Sequence, residues 1–175
     1  RRFFVQMPLG YGKIFYDPRV NWMYRTEPDP GLAGQSDYWP RGKVLGGSSS
    51  INGLIYIRSQ PEDYDHWAQL GNRGWSAADV LPYFRKAECW DGPADAVHAK
   101  EGPLNTCRTS DQPELCRAAI RAGNELGWQF REDLNDLPHG LGEHVGWVQQ
   151  TRGRRLRASS ASAYLRPARA RPNLR

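Results

Sequence analysis

The sequence predicts a mixed fold of the α/β class, with a few helices joined by loops and short strands. Several stretches carry apolar residues at helical spacing between capping and terminating residues, and turn formers interrupt the rest. The 175 residues include seven tryptophans and eight tyrosines, which indicates a packed structure rather than disorder. The expected helices cover residues 59–71, 76–88, 111–127 and 159–165, and the candidate strands cover 21–26, 102–107 and 146–151.

The first two helices have the clearest boundaries. Ser59 is the expected N-cap of the first, with Pro61 in its first turn and Gly71 at its end. The second begins after Ser76, and Asp79 stands three residues later, as in a capping box.

The later helices follow the same reasoning. Pro113 lies near the start of helix 111–127, in which apolar residues repeat at helical spacing. Pro167 is expected to stop helix 159–165. The segments 91–102 and 135–146 are expected to be loops.

The first forty residues have little periodicity and many turn formers. Phe3 to Val5 is expected to be a short strand or a helix end. In 21–26, Trp22, Tyr24 and Thr26 alternate, as in a short strand or extended arm.

The stretch Pro40–Ile57, PRGKVLGGSSSINGLIYI, is the most informative. Gly46 and Gly47 lack a Cβ, so the backbone can turn sharply and approach another molecule. Ser48–Ser50 offer an N-cap, and the N-terminus of a following short helix favours an electron-rich ligand. The Asn52 amide could then reach a flat polar ring. The same residues are also typical of an ordinary loop. A P-loop is excluded because no Gly-Lys-Ser/Thr closes the stretch, and a dinucleotide fingerprint is excluded because G-x-G-x-x-G is absent.

The charge is unevenly distributed. The chain has a net charge of +5, but the segment 151–175 holds eight arginines and no acid, leaving 16 basic against 19 acidic residues elsewhere, a net of −3. Such an end suits either a nucleic acid or packing against another part of a protein, and its interleaved apolar residues favour packing. We therefore expect no nucleic-acid partner.

The cysteines and histidines give no metal or disulfide pattern. Three cysteines without C-x-x-C spacing favour a reducing compartment. His66, His98, His139 and His144 lack metal-ligand spacing and are expected to be structural or exposed. No apolar run is long enough for a transmembrane segment, so we expect a cytoplasmic protein, either free or associated with a membrane surface.

The string GKVLGGSSSIN, followed by Tyr56 and Asp65, resembles the first signature of the glucose–methanol–choline (GMC) flavoprotein oxidoreductases. It is most similar to the choline-dehydrogenase-like branch. NWMYRTEPDP, PEDYDHWAQLGNRGWSAADVLPYFRKAE and GRRLRASSASAYLRPARARPNL extend the resemblance over nearly the whole chain. Ser59 stands where the family usually has another small residue, Gly or Pro.

This resemblance implies two domains, an FAD-binding domain and a substrate domain with an antiparallel sheet. Residues 1–57 would belong to the FAD-binding domain and 58–101 to a helical connection. Residues 102–157 would belong to the substrate domain, and 158–175 would form a helix that returns to the FAD-binding domain. The chain would be an internal fragment of a longer enzyme, with a bacterial source indicated by 20 arginines against four lysines.

The resemblance also implies a cofactor site. Asn52 is the expected direct side-chain contact to FAD. Some family members attach FAD through a histidine just before this asparagine; Ile51 stands there, so the resemblance implies non-covalent FAD. The residues expected at the cofactor are Val44, Gly46, Gly47, Ser48, Asn52, Gly53, Leu54 and Ile55.

The implied reaction is oxidation of a primary alcohol, in which a histidine base takes the hydroxyl proton and hydride passes to flavin N5. That histidine and its partner would lie beyond Arg175, so no catalytic residue is expected in this chain. The electron acceptor, oxygen or a quinone, stays open. Two alternatives are a non-redox FAD-containing lyase of the same family and a nucleic-acid-binding protein that uses the arginine-rich end.

Overall fold

The computed structural model describes residues 2–136, 142–153 and 155–174. The chain forms two compact units: Arg1–Leu54 with Thr151–Arg175, and Ile55–Gln150 between them in sequence. We call these the outer unit and the inserted unit. The helices are α1 (Arg2–Gln6), α2 (Tyr11–Ile14), α3 (Pro61–Gln69), α4 (Ala77–Ala87), α5 (Glu114–Glu125) and α6 (Arg166–Ala168). The strands are β1 (Tyr24–Arg25), β2 (Tyr38–Trp39), β3 (Ile55–Tyr56), β4 (Glu88–Trp90), β5 (Leu104–Thr106), β6 (Gln129–Arg131), β7 (His144–Gly146) and β8 (Gln149–Gln150).

The outer unit has a small apolar core of Ile14, Val20 and Ile51, against which Val5 and Val44 pack. Strands β1 and β2 pair in an antiparallel arm. Buried Asn21 anchors the arm, because its side-chain oxygen accepts from the Arg41 amide at 2.9 Å. Val44 and Ile51, which stand on either side of the serine triplet in sequence, thus both contact this core.

The inserted unit contains α3, α4 and α5 and three pairs of strands. β4–β5 and β6–β7 are parallel, whereas β3–β8 is the antiparallel pair. Aromatic side chains join α3 to α4, with the Tyr64 and Phe84 rings 5.9 Å apart. Within the described ranges, every helix is too short or too polar to cross a lipid bilayer.

The structure confirms the mixed α/β class and the positions of the first three helices. Ser76 caps α4 as predicted, since its hydroxyl accepts from the Asp79 amide at 3.2 Å. The predicted cap of α3 is wrong by one residue: Gln60 is the N-cap, and its amide donates to Asp63 Oδ2 at 3.0 Å.

The fourth helix differs from its prediction. Ala161–Leu165 form a π-helical turn, and the chain continues helically through Pro167 in α6. Pro167 is tolerated because it occupies the first turn of the new α-helical segment, where its missing N–H is not needed. The proline therefore does not end the helix.

Short strands account for the other differences. β6 was not predicted, and β7 occupies the end of the expected loop 135–146. The two strands form because their backbone N–H and C=O groups hydrogen-bond to each other. Of that loop, residues 137–141 lie outside the described ranges. Phe3–Val5 fall in helix α1, in agreement with the second of the two predicted alternatives, whereas Ile55 lies in a strand rather than in the short helix predicted after the serines.

A buried charged cluster joins distant segments of the inserted unit. Glu88 is fully buried, and its Oε2 accepts from Arg58 Nη2 at 3.1 Å and lies 2.8 Å from His98 Nδ1. His98 Nε2 lies 2.7 Å from Asp133 Oδ2, and Thr106 Oγ1 donates to Glu88 Oε1 at 3.0 Å. Both imidazole nitrogens therefore face carboxylates, which favours the doubly protonated ring. We call these five residues the Glu88 cluster.

The Glu88 cluster predicts a pH-dependent stability. Burial alone would lower the pKa of His98, but hydrogen bonds and the charges of Asp133 and Glu88 outweigh it and raise the pKa from 6.5 to about 9. Because the folded state holds the proton more tightly, this stabilisation is complete below pH 6.5 and is lost as pH rises through 9. We expect the thermal midpoint of the full-length protein to fall over this interval. In His98→Gln the thermal midpoint should depend less on pH over this interval. A pH dependence equal to that of the wild type would show that His98 does not cause it.

Candidate functional site

The loop that carries the two glycines turns through left-handed backbone. Gly46 has φ 91° and Gly47 has φ 54°, and the 3₁₀-helix Gly47–Ser50 begins at the second of them. A Cβ on Gly46 would stand 2.5 Å from Ser50 Oγ and 3.0 Å from the Cβ of Ala161. Glycine is therefore required at position 46 both by conformation and by packing.

The serine triplet fixes this loop from inside. Ser49 Oγ donates to the Gly46 carbonyl at 2.5 Å and accepts from the Ser160 amide at 2.9 Å. Ser50 is buried and donates to the Leu45 carbonyl at 2.9 Å, while Ser48 Oγ accepts from the Gly42 amide at 3.2 Å. Because the hydroxyls of Ser49 and Ser50 already donate within the unit, these two side chains stabilise the loop and are not free to donate to a ligand.

Arg157 holds the end of the loop. Its Nη1 donates to the Asn52 carbonyl at 2.7 Å and to Asn52 Oδ1 at 2.6 Å, and its Nε donates to the Val5 carbonyl at 3.0 Å. The residue is 6% exposed, and burial lowers its pKa to about 10. Within the described residues Nη2 has no partner. A buried guanidinium thus ties three separate segments of the outer unit together.

Sequence reasoning assigned the arginine-rich end as a whole to packing and did not single out Arg157. Its spacing does not distinguish it, since Arg157 follows Arg155 by two residues in the basic stretch GRRLR. Arg155 and Arg166 are exposed.

The residues predicted to bind a cofactor occupy different environments. Leu54 is buried with φ 70°, Val44 and Asn52 are half-buried, and Gly53 is exposed. Seven of them belong to the outer unit, and Ile55 begins the inserted unit. The seven are Val44, Gly46, Gly47, Ser48, Asn52, Gly53 and Leu54.

The loop fits a flat, electron-rich group such as the flavin implied by the sequence. Apart from the two chain neighbours, no atom of the described residues lies within 4 Å of the position that a Cβ would take on Gly47 or Gly53, so the backbone is open to close approach there. Asn52 adds a side-chain amide beside Gly53. Backbone and amide N–H groups are the donors that the ring edge of a flavin requires.

The histidines occupy other surroundings. His98 belongs to the Glu88 cluster, and His66 is exposed on α3. His144 donates from Nδ1 to the Gly142 carbonyl at 2.5 Å. His139 lies outside the described residues. Among those that are described, no three His, Cys, Asp or Glu side chains are grouped as metal ligands.

Comparison of the sequence with known proteins identifies its relatives. The model of the GMC oxidoreductase family matches residues 22–175. An oxygen-dependent choline dehydrogenase of Sinorhizobium fredii is 43% identical over 171 residues, and mitochondrial choline dehydrogenase of Mus musculus is 41% identical over 171 residues. Each alignment covers 98% of this chain but only 31% and 28% of the relative. The chain thus spans about a third of the length of these enzymes.

Solved structures agree with the sequence comparison. Pyridoxine 4-oxidase from Mesorbium loti superposes with a TM-score of 0.84 at 32% identity, covering 98% of this chain and 33% of that protein. An FAD-dependent oxidoreductase from Chaetomium thermophilum gives a TM-score of 0.78 at 26% identity, covering 94% of this chain and 30% of that protein. The resemblance found in the sequence is confirmed, and the chain belongs to the GMC oxidoreductase family.

Proposed function

We propose that this chain is part of a longer FAD-dependent oxidoreductase that acts on the CH–OH group of alcohols. The observation that carries the proposal is the loop from Gly46 to Gly53, fixed from inside by its serines and open on its backbone. The length of the choline dehydrogenase relatives, about three times that of the chain, supports the view that it is one part of an enzyme.

The eight predicted residues would hold the cofactor mainly through their backbone. Gly47 and Gly53 allow close approach, and Asn52 supplies a side-chain amide. When bound, FAD accepts a hydride from the alcohol carbon at N5. The chain itself would contribute the open backbone at Gly47 and Gly53 and the side-chain amide of Asn52, while the histidine base and its partner are proposed to lie C-terminal to Arg175.

The domain assignment that the resemblance implies is part of the same proposal. Residues 1–57 and 158–175 would belong to the FAD-binding domain, which includes the loop and the helix packed on Gly46. Residues 102–157 would belong to the substrate domain, and 58–101 would connect the two. Because the relatives include choline dehydrogenases, the substrate is proposed to be a small primary alcohol. We also propose a reducing, cytoplasmic location, since Cys89, Cys107 and Cys116 form no disulfide bond among the described residues.

The test is anaerobic addition of choline and other primary alcohols to the purified full-length protein. A flavin-dependent alcohol oxidoreductase should lose its visible flavin absorbance as the cofactor is reduced. A lyase of the same family would keep that absorbance while consuming a cyanohydrin substrate. A full-length protein without flavin would contradict the proposal.

Non-covalent binding gives a separate prediction. Ile51 offers no nucleophile and is 2% exposed in the core of the outer unit, behind the loop. Acid precipitation of the full-length protein should therefore release all of the yellow cofactor into the supernatant. Colour that remains in the pellet would show a covalent bond.

A further inference from the structure

The side-chain amide of Asn52 is fixed in one orientation. Its oxygen accepts two hydrogen bonds, from Arg157 Nη1 at 2.6 Å and from the Leu54 amide at 3.1 Å. An arginine and a backbone N–H can only donate, so the atom that faces them must be the oxygen. The Nδ2 group consequently points away from Arg157 and has no partner among the described residues.

Arg157 is well placed to enforce this orientation. It binds the carbonyl and the side chain of Asn52 with the same nitrogen, and it is itself held through Nε by the Val5 carbonyl. Its backbone N–H also donates to the Gln6 carbonyl at 2.9 Å. Since both ends of the residue are fixed, its guanidinium has little freedom to release Asn52.

We infer that Arg157 is a positioning residue that makes Asn52 a pure donor, so that the site selects an acceptor edge of its ring-shaped ligand. This inference rests on the proposed function, in which that ligand is the oxidised flavin. A flavin ring carries acceptors along its N5 and carbonyl edges, which suits an amide that presents only N–H groups.

The variant Asn52→Asp changes the group that faces the ligand and keeps the oxygen that faces Arg157. The aspartate keeps an oxygen towards Arg157 and Leu54, and its charge adds an ion pair with the buried guanidinium. The outward N–H donors are replaced by an acceptor that repels electron-rich atoms. We therefore expect an apoprotein whose thermal midpoint is unchanged or higher, and a dissociation constant for FAD raised at least tenfold.

The role of Arg157 is tested by the variant Arg157→Met and by its combination with Asn52→Asp. With Arg157→Met the Asn52 amide can rotate, so FAD should bind more weakly. Adding Asn52→Asp to Arg157→Met should then lower the affinity for FAD by a smaller factor than Asn52→Asp does in the wild type. Arg157→Lys, which keeps the charge, should restore part of the affinity. Arg155→Met, at an exposed arginine two residues earlier, is the matched control and should bind FAD like the wild type.

The readouts are FAD titration by flavin fluorescence and the thermal midpoint of the apoprotein, both on the full-length protein. Wild-type affinity in Asn52→Asp would overturn the inference and leave the proposed function intact. Equal effects of Asn52→Asp with and without Arg157 would overturn the role of Arg157. A wild-type protein that binds no FAD would overturn the proposed function and the inference with it.

Discussion

Replacing Glu88 with alanine is expected to lower the free energy of unfolding by about 3–5 kcal/mol. Glu88 is fully buried and is the acceptor for Arg58, His98 and Thr106. Without it, the Arg58 guanidinium, whose side chain is 5% exposed, keeps its charge in the interior without its carboxylate. Because the net stability of a domain is about 5–15 kcal/mol, the loss is a large share of the total.

The measurement is urea denaturation of the full-length protein, followed by tryptophan fluorescence. Trp90 is buried and stacks on His98 with ring centroids 4.6 Å apart, so it reports on the Glu88 cluster. Glu114→Ala is the matched control: its ion pair with Arg121 has a similar length, 2.7 Å, but both side chains are exposed. An equal shift in the two variants would show that burial does not set the effect.

Gly42→Ala is expected to have the largest effect on the proposed cofactor site. A Cβ on Gly42 would overlap the carbonyl of Gly47, which is backbone and has no alternative rotamer. The loop must therefore move, at a cost of about 1–3 kcal/mol. If FAD binds only when the loop returns to its wild-type position, the dissociation constant for FAD rises by about tenfold for each 1.4 kcal/mol of this cost.

The control for this prediction is Gly12→Ala in helix α2. Beyond its own helix and chain neighbours, no atom of the described part of the chain lies within 4 Å of the position its Cβ would take, so the substitution should leave FAD binding unchanged. Both variants are compared by FAD titration of the full-length protein. Wild-type affinity in Gly42→Ala would show that the contact with Gly47 does not control the loop.

Local signals were sufficient for helices α3, α4 and α5. The capping pair of Ser76 and Asp79, for example, lies within one turn, so the sequence alone specifies where α4 begins. The short strands carry no such signal, because β6 and β7 have three residues each and are defined only by pairing with each other. The π-helical turn before Pro167 was also beyond local reasoning, since it depends on how the segment packs.

In the candidate site, too, only the features that depend on neighbouring residues could be predicted. The glycine and serine motif pointed to the loop, and the left-handed backbone at Gly46 and Gly47 accords with that interpretation. Arg157 could not be found from spacing, because it meets Asn52 across 105 residues of sequence. The Glu88 cluster was missed for the same reason: Arg58 meets Glu88 across 30 residues of sequence, and such pairs have no local periodicity.

The two ends of the inserted unit lie next to each other in space. Its first and last residues, Ile55 and Gln150, are partners in β3–β8, and Leu54 and Thr151 of the outer unit are joined by a hydrogen bond of 2.8 Å. A segment with such adjacent ends can be exchanged for one of another length without opening the fold that carries it. The inserted unit can therefore change in length and sequence while the backbone of the loop from Gly46 to Gly53 keeps its connections in the outer unit.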